Sequence, residues 1–260
     1  MSLISIENLL ISYGNVTAVN GLNLTVNPGE VVGLLGGNGA GKSSTLRAIS
    51  GVNPHTGGDL YVCGYNMADP AQVERARQVL GYCPDVGGLV REATVREHIG
   101  LALAMHGNTH LWPQALDLLE RFNLTEVLDR VTKGFSHGMC RRLSVLLAAL
   151  TAEQVMVLDE PFDGVDPLGV EATMTTIAQA PSHGVGVLIS THLLDLVVEA
   201  CDRVVVVFDG KAAAVDTAEA FSGEDGKRKY ANLLRRYNTE PETSALNSTD
   251  ARATEETHTS

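Results

Sequence analysis

One segment restricts what this chain can fold into more than any other: residues 31–44, which read VVGLLGGNGAGKSS. An apolar run of strand length leads into a glycine-rich turn, and Lys42, Ser43 and Ser44 follow it. Positions 36–43 fit the pattern G-x-x-x-x-G-K-[ST]. Glycines leave room for several backbone N–H groups to converge on one phosphate chain, and they permit positive φ. A helix beginning near Lys42 adds its N-terminal dipole. The segment therefore predicts a nucleoside triphosphate site.

The pattern assigns a role to each part of this loop. Lys42 reaches the β- and γ-phosphates, and the Ser43 hydroxyl lies on Mg²⁺, so we expect ATP and Mg²⁺ as cofactors. A flexible glycine turn with a lysine there by coincidence is the alternative, but such a match arises by chance in about one case in a hundred. The predicted nucleotide-binding residues of the loop are Gly36, Gly37, Asn38, Gly39, Ala40, Gly41, Lys42, Ser43 and Ser44.

Composition narrows the class of protein. The 260 residues are 44% hydrophobic and 19% charged, which is ordinary for a globular α/β protein. The net charge of −12 argues against a nucleic-acid-binding surface, so no nucleic-acid partner is expected. No apolar run is long enough to cross a bilayer, and the N-terminus lacks the basic start and long apolar segment of a signal peptide. We therefore expect a cytoplasmic protein that reaches the membrane only through a partner.

The order of the predicted elements indicates an α/β fold. Strands are predicted at 3–7, 9–13, 22–26, 31–35, 60–63, 80–83, 155–159 and 185–191. Helices are predicted at 42–50, 70–79, 94–106, 112–122, 136–150, 167–180 and 193–200. We predict a P-loop NTPase core with a parallel sheet, preceded by an N-terminal antiparallel β region. An α-helical subdomain is inserted in that core at about 86–150.

The end of the chain reads differently from the core. We place the nucleotide-binding domain at residues 1–215 and a C-terminal helical extension at 216–237. Basic residues at 227–229 and 235–236 flank an amphipathic pattern in that extension. From 238 to 260 the chain is rich in Thr, Glu, Ser and Asn and nearly free of large apolar residues, which predicts a disordered tail.

A second motif follows the phosphate loop by more than a hundred residues. Residues 155–160 read VMVLDE, an apolar strand that ends in two carboxylates. Asp159 is placed to hold Mg²⁺ through water opposite Ser43, and Glu160 is the natural general base for the attacking water. Because strands often exit into charged loops, this motif is informative only together with the phosphate loop.

With both motifs present, residues 3–215 resemble the nucleotide-binding subunit of an ABC transporter. Members of that family carry a sequence like Leu-Ser-Gly-Gly-Gln, and residues 135–139, FSHGM, stand in its place. Ser136 is predicted to cap the following helix, and the resemblance implies that Ser136 and Gly138 contact the γ-phosphate held by a second copy. His137 and Met139 depart from the usual motif. Similar variants occur in exporter-type (ABC-2-type) members.

The resemblance implies three further site residues. His192, after the last core strand, matches a histidine that contacts the γ-phosphate and orients Glu160. Tyr13 resembles the aromatic residue that stacks on adenine, although an ordinary strand tyrosine is the alternative. Asp85 stands where the family usually has glutamine, near Mg²⁺ and the attacking water. Its shorter, anionic side chain either binds the metal through water or fails to reach it, and we hypothesise that it retunes coupling to the helical subdomain. A tolerated substitution is the alternative.

The function implied is that of an ATP-hydrolysing motor. ATP joins two chains head to tail, Glu160, His192 and Lys42 carry out hydrolysis, and a transmembrane permease subunit transports the substrate, with export favoured by the motif variant. The second ATPase is a further copy or a homologous subunit, and the chain lies on the cytoplasmic face of the membrane through its partner. Two alternatives stay open: a soluble ABC-type ATPase acting on nucleic acid or ribosomes, and a non-hydrolysing ATP-gated regulator.

Overall fold

Residues 1–239, the part of the chain that the computed structural model describes, are built on two β-sheets. The strands are β1 (Ile4–Tyr13), β2 (Val16–Val26), β3 (Val31–Leu35), β4 (Gly57–Val62), β5 (Tyr65–Asn66), β6 (Leu80–Cys83), β7 (Val155–Asp159), β8 (Gly186–Thr191), β9 (Arg203–Phe208) and β10 (Lys211–Thr217). The helices are α1 (Lys42–Ile49), α2 (Pro70–Gln78), α3 (Val95–Met105), α4 (Trp112–Arg121), α5 (His137–Thr151), α6 (Pro167–Gln179), α7 (Leu194–Ala200) and α8 (Gly223–Thr239).

The larger sheet has the order β10-β9-β3-β8-β7-β6 and is parallel except for its β9–β10 pair. Strands β3, β7 and β8 are buried throughout, which explains why they read as continuous apolar runs. Leu35 pairs with Thr191, and Asp159 pairs with Ser190. The carboxyl ends of three strands therefore meet at one edge, which is where open α/β sheets bind ligands. The predicted α/β class with a parallel core sheet is confirmed.

The smaller sheet, in the order β2-β1-β4-β5, is antiparallel as predicted. Its strands are longer than we expected from the sequence. The segments 3–7 and 9–13 form one strand, because Asn8 adopts a positive φ of 51° and makes a bulge rather than an end. The second strand begins at Val16, so the prediction of 22–26 missed its first half. Residues 57–59, which precede the strand predicted at 60–63, belong to β4.

The predicted helices are confirmed to within two residues at each end. Three of them, α3, α4 and α5, lie between β6 and β7 and share a hydrophobic cluster with the core strands. Helix α8 covers β9 through Tyr230, Leu233, Leu234 and Tyr237. It runs two residues past the predicted limit of 237.

The predicted tail beyond Thr239 lies outside the described residues. The division of the chain into a core ending at 215, an extension and a tail stays a prediction. Among residues 1–239, no helix combines the length and the apolar character needed to cross a membrane.

Candidate functional site

The phosphate-loop motif joins β3 to α1, as the sequence predicts, and α1 begins at Lys42. Two of its glycines are required by packing. Gly41 has a φ of 96°, and a Cβ there would lie 2.3 Å from the Ala18 carbonyl oxygen. A Cβ on Gly36 would lie 2.4 Å from the carbonyl oxygen of Val207. The loop is therefore pressed against the neighbouring backbone on one side, and no larger residue fits at these two positions.

Lys42 is buried at the centre of the site. Its Nζ donates to the carbonyl oxygens of Gly36 at 2.8 Å and Gly37 at 3.2 Å. The same atom lies 3.2 Å from Glu160 Oε1. These contacts bring the ammonium group and the predicted base together, so a phosphate that bound at this loop would meet a cation already positioned by the protein.

Asp159 is fully buried at the end of β7. Its Oδ1 accepts hydrogen bonds from the hydroxyls of Ser43, at 3.1 Å, and Ser190, and among residues 1–239 its Oδ2 has no partner. Burial raises the pKa of this carboxyl group; the two hydroxyls oppose that shift, and the nearby Asp85 and Glu160 add to it.

A buried carboxylate oxygen without a partner, beside a serine hydroxyl, suits a hard cation such as Mg²⁺. The described residues contain no group of three or more His, Cys, Asp or Glu that could hold a metal by themselves. Ser43 and Asp159 thus fit the role of the protein ligands of a Mg²⁺ ion. At nucleotide sites the protein usually supplies few ligands to Mg²⁺, and phosphate and water supply the rest.

Glu160 is aimed into the site by an unusual backbone. Its φ is 47°, in the left-handed region that costs a residue with a Cβ about 1 kcal/mol or more. Its N–H lies 3.1 Å from both the carbonyl oxygen and the Oγ of Ser190, which hold the turn. Glu160 Oε2 lies 3.1 Å from His192 Nδ1, so the carboxylate is contacted by Lys42 on one oxygen and by His192 on the other.

Asp85 follows β6 and is held by Arg141 of α5. The guanidinium of Arg141 donates to Asp85 Oδ1 at 3.1 Å and to the backbone oxygens of Pro84 and Asp85. It also donates to the carbonyl oxygen of Asp159 at 3.2 Å. Arg141 therefore links Asp85 to the backbone of Asp159, and one of the Asp85 carboxylate oxygens is engaged by this arginine. The role of Asp85 at Mg²⁺ stays a prediction.

Three predicted site residues, Ser136, Gly138 and Tyr13, make their contacts away from the phosphate loop. The Ser136 side chain caps α5 by accepting from the N–H of Met139 at 3.2 Å, which confirms the predicted cap. A Cβ on Gly138 would lie 2.8 Å from the Gly164 carbonyl oxygen, so the start of α5 packs on the segment after Glu160. Tyr13 is half-exposed at the end of β1, and its hydroxyl accepts from Asn53. Among the contacts within residues 1–239, none of these side chains hydrogen bonds to residues 36–44.

Two residues of the site escaped the sequence analysis, Arg141 and Ser190. Ser190 donates to Asp159 and accepts from the Glu160 N–H, so it fixes both carboxylate-bearing residues. A signal existed for each of them. Arg141 is a charge within a helix that is mostly buried, and Ser190 is one of two hydroxyl residues that end an apolar strand.

The motif residues of one nucleotide site thus converge at the carboxyl edge of the parallel sheet. A family model described as ABC transporter matches residues 19–163, more than half of the chain. The chain belongs to this family. It is an ABC-type ATPase, which binds and hydrolyses ATP as the subunit that drives an ABC transporter.

Similar proteins include ATP-binding subunits of several transport systems. The lipopolysaccharide export system ATP-binding protein LptB of Haemophilus influenzae is 34% identical over 236 residues, covering 88% of this chain and 97% of that protein. The linearmycin resistance ATP-binding protein LnrL of Bacillus subtilis is 33% identical, covering 81% of this chain and 68% of that protein. A solved ATP-binding subunit of an ABC transporter superposes with a TM-score of 0.80 at 29% identity, covering 91% of this chain and 100% of that one.

Proposed function

We propose that this ABC-type ATPase powers export through a separate transmembrane permease, and that it works as a head-to-tail pair with a second copy or a homologous ATPase. The observation that carries the pairing is the position of Ser136 and Gly138. Within one chain Ser136 contacts Met139 and Gly138 packs on Gly164. Lys42 contacts Glu160, and Ser43 contacts Asp159. A capped helix start that serves a phosphate but lies outside the chain's own cluster fits a site shared by two chains.

In this proposal the chain's own residues divide the chemistry of hydrolysis. Lys42 exchanges its carbonyl contacts for the β- and γ-phosphates and balances the charge that develops there. Glu160 accepts a proton from the attacking water, and His192, 3.1 Å from its carboxylate, holds that base in position. Ser43 and Asp159 hold Mg²⁺, Asp85 lies beside them, and Tyr13 stacks on the adenine.

Closure and opening of the pair then provide the force-generating step. ATP has a higher affinity for the closed pair than for the separate chains, because only the pair supplies both sets of phosphate contacts. A ligand can shift a conformational equilibrium only by such a difference in affinity. Hydrolysis removes the shared γ-phosphate, and the pair opens.

Export is the direction favoured by the relatives and by the sequence. The 34%-identical relative is named for lipopolysaccharide export and the 33%-identical one for resistance to linearmycin. The FSHGM variant of the signature motif, with His137 and Met139, agrees with an exporter-type assignment. These observations favour a membrane role over an ABC-type ATPase that acts on nucleic acid or ribosomes.

A groove beside Asp85 supports a contact with the permease. A cavity of 440 Å³ lies between α1, the loop after β6 and α5, and its lining includes Arg47, Val52, Val86 and Leu147. Val86 is 77% exposed and lies next to Asp85 in the chain. A permease segment seated there would reach the nucleotide site through one loop. In this proposal the chain lies at the membrane periphery, on the cytoplasmic face.

The pairing is tested with the full-length Glu160→Gln variant, which keeps the shape of the side chain and removes the base. With ATP and Mg²⁺ we expect a dimer by size-exclusion chromatography with light scattering, retaining about one ATP per chain, and with ADP a monomer. Glu199→Gln, an exposed residue of α7, is the matched control, and it should turn over ATP without a stable dimer. Glu160→Gln chains that stay monomeric and release ATP would contradict the proposal.

The membrane partner is tested by purifying the tagged chain from detergent-solubilised membranes of its own host. We expect a multi-span membrane protein to co-purify, and Val86→Asp to abolish that association while ATP binding stays intact. Val16→Asp, at another exposed valine, should leave the association unchanged. Recovery of ribosomes or nucleic acid in place of a membrane protein would favour the alternative function.

A further inference from the structure

Arg141 is a buried cation that joins three segments of the ATPase site. It is 3% exposed and lies on α5, five residues after the Ser136 cap. Its Nη1 donates to the carbonyl oxygens of Pro84 at 2.7 Å and Asp159 at 3.2 Å. Its Nη2 donates to Asp85, to both the backbone oxygen and Oδ1. One side chain thus connects α5, the loop after β6 and the end of β7.

The chemistry of this junction requires an arginine. The guanidinium is a flat fork of donors that can serve several fixed oxygens at once, whereas lysine presents one ammonium on a flexible stem. Without Arg141, the carbonyl oxygens of Pro84 and Asp159 would lose these hydrogen bonds in a largely buried region, which is costly for each group left unpaired. The loop after β6 would then be free to shift relative to Asp159.

A buried guanidinium also needs a nearby negative charge. Asp85 supplies it, with Oδ1 at 3.1 Å from Nη2. A glutamine, the residue usual at this position in the ABC transporter family, would carry no charge to balance Arg141. The Asp85 carboxylate therefore has a partner in the protein that accounts for its charge, whereas Asp159 Oδ2 has none within residues 1–239.

We propose that Arg141 is a positioning residue for ATP hydrolysis, and that the Asp85 carboxylate is its counter-charge and not a ligand of Mg²⁺. Arg141 fixes the Asp85 loop against the strand end that carries Asp159, and it fixes both to the helix that begins at Ser136. It touches neither nucleotide nor metal. This inference rests on ATP hydrolysis by the chain and is independent of the direction of transport and of any membrane partner.

The test is a double-mutant cycle on the full-length chain, with steady-state ATPase rates measured against both ATP and Mg²⁺ concentration. For Asp85→Asn we expect kcat to fall about threefold to tenfold and the half-saturating Mg²⁺ concentration to stay within about twofold. For Arg141→Met we expect kcat to fall more than about tenfold with the KM for ATP within about threefold. The double variant should be no slower than Arg141→Met, because the two residues act as one unit.

Arg142→Met is the matched control on the same helix. Arg142 donates to the Phe122 carbonyl oxygen and does not contact Asp85, so its effect on kcat should multiply with that of Asp85→Asn. Thermal unfolding and ADP binding report whether each variant folds. If Arg141→Met does not fold, Arg141→Lys, which keeps the charge but fewer donors, takes its place and should also lower kcat with an unchanged Mg²⁺ requirement.

Three results would overturn this inference. The first is an increase of about tenfold or more in the Mg²⁺ requirement of Asp85→Asn, which would make Asp85 a metal ligand. The second is a double variant whose kcat falls by the product of the two single effects, which would mean that Arg141 and Asp85 act independently. The third is a lowered unfolding temperature for Arg141→Met with an unchanged kcat per folded molecule, which would leave Arg141 with a purely structural role. None of these results bears on the pairing or the permease.

Discussion

Glu160 lies between two basic side chains, and this arrangement sets the chemistry of the site at the residue scale. One carboxylate oxygen lies 3.2 Å from Lys42 Nζ and the other 3.1 Å from His192 Nδ1. In the proposed mechanism Lys42 turns to phosphate, and His192 then remains as the group that holds the carboxylate. We therefore expect the two contacts to have different consequences: loss of Lys42 should weaken nucleotide binding, and loss of His192 should slow the chemical step.

His192→Ala is expected to lower kcat by about 100-fold while the affinity for ATP changes little, because a misplaced general base costs rate and not binding. Steady-state ATPase assays together with a fluorescent-nucleotide binding assay measure the two effects. His183→Ala, at an exposed histidine in the turn after α6, is the control and should resemble the unmodified chain. A loss of ATP affinity equal to the loss of rate would assign His192 to binding and count against this role.

The sequence predicted that Lys42, Asp159 and His192 lie close together, but it did not predict the contact of Arg141 with Asp85. Lys42 follows β3 through the phosphate loop, Asp159 ends β7 and His192 follows β8, and the ends of these neighbouring parallel strands meet at one edge. Arg141 and Asp85 are 56 residues apart, and their contact depends on how α5 is rotated against β6. Nothing in the local pattern of either segment sets that rotation.

At the element scale, two helix starts in the segment between β6 and β7 have the same local chemistry. Ser136 caps α5 by accepting from the N–H of Met139, and Thr94 caps α3 by accepting from the N–H of Glu97. Glu97 completes a capping box at α3 by accepting from the Thr94 N–H. Only the α5 cap stands in the signature motif. The two helices therefore separate the cost of losing a cap from the cost of losing a phosphate contact.

Ser136→Ala and Thr94→Ala are each expected to lower the free energy of unfolding by about 1 kcal/mol, the usual cost of a lost cap. Only Ser136→Ala should also abolish the ATP-dependent dimer when combined with Glu160→Gln. Urea unfolding measures the first effect and light scattering with ATP and Mg²⁺ the second. Dimerisation that survives Ser136→Ala, or is lost equally with Thr94→Ala, would remove the signature serine from the shared site.

Elements were predicted well where periodicity alone determines them and poorly where a single residue changes the backbone. The ends of α3, α4 and α5 follow from the spacing of their apolar residues. The first strand continues through Asn8, whose positive φ allows a bulge, and β4 includes Gly58, which packs against that bulge. A sequence pattern cannot distinguish a bulge from a strand end without the partner strand.

At the scale of the whole molecule, α8 packs on β9 of the larger sheet. Both elements lie outside the family match at residues 19–163. The ring of Tyr237 stacks on Phe208 of β9 with centroids 4.8 Å apart. Lys229 Nζ lies 2.6 Å from Asp216 Oδ2 of β10 and 4.4 Å from the centre of the Phe221 ring. The helix is thus held by apolar packing and by cations that include Lys229, which has two partners, a carboxylate and an aromatic face, and Lys227, which lies 3.3 Å from Asp195 of α7.

These two partners of Lys229 respond differently to pH. The hydrogen bond from Lys229, with one from the Thr217 N–H, lowers the pKa of Asp216 in the folded chain. The stabilisation from this carboxylate is therefore present above its unfolded pKa of about 4 and is lost as the pH falls through the lower folded value. The contact of Lys229 with Phe221 does not depend on that proton and should persist in acid.

We accordingly expect Asp216→Asn and Lys229→Met to be less stable than the unmodified chain at pH 7 in urea unfolding. At a pH below the folded pKa of Asp216, Asp216→Asn should match the unmodified chain. The Asp216 carboxyl group of the unmodified chain is then protonated in both the folded and the unfolded state. Lys229→Met should remain less stable there, since it has also lost the ring contact. If both variants are as stable as the unmodified chain in acid, the aromatic contact contributes nothing to stability. If both remain less stable in acid, Asp216 stabilises the chain by something other than its ion pair with Lys229.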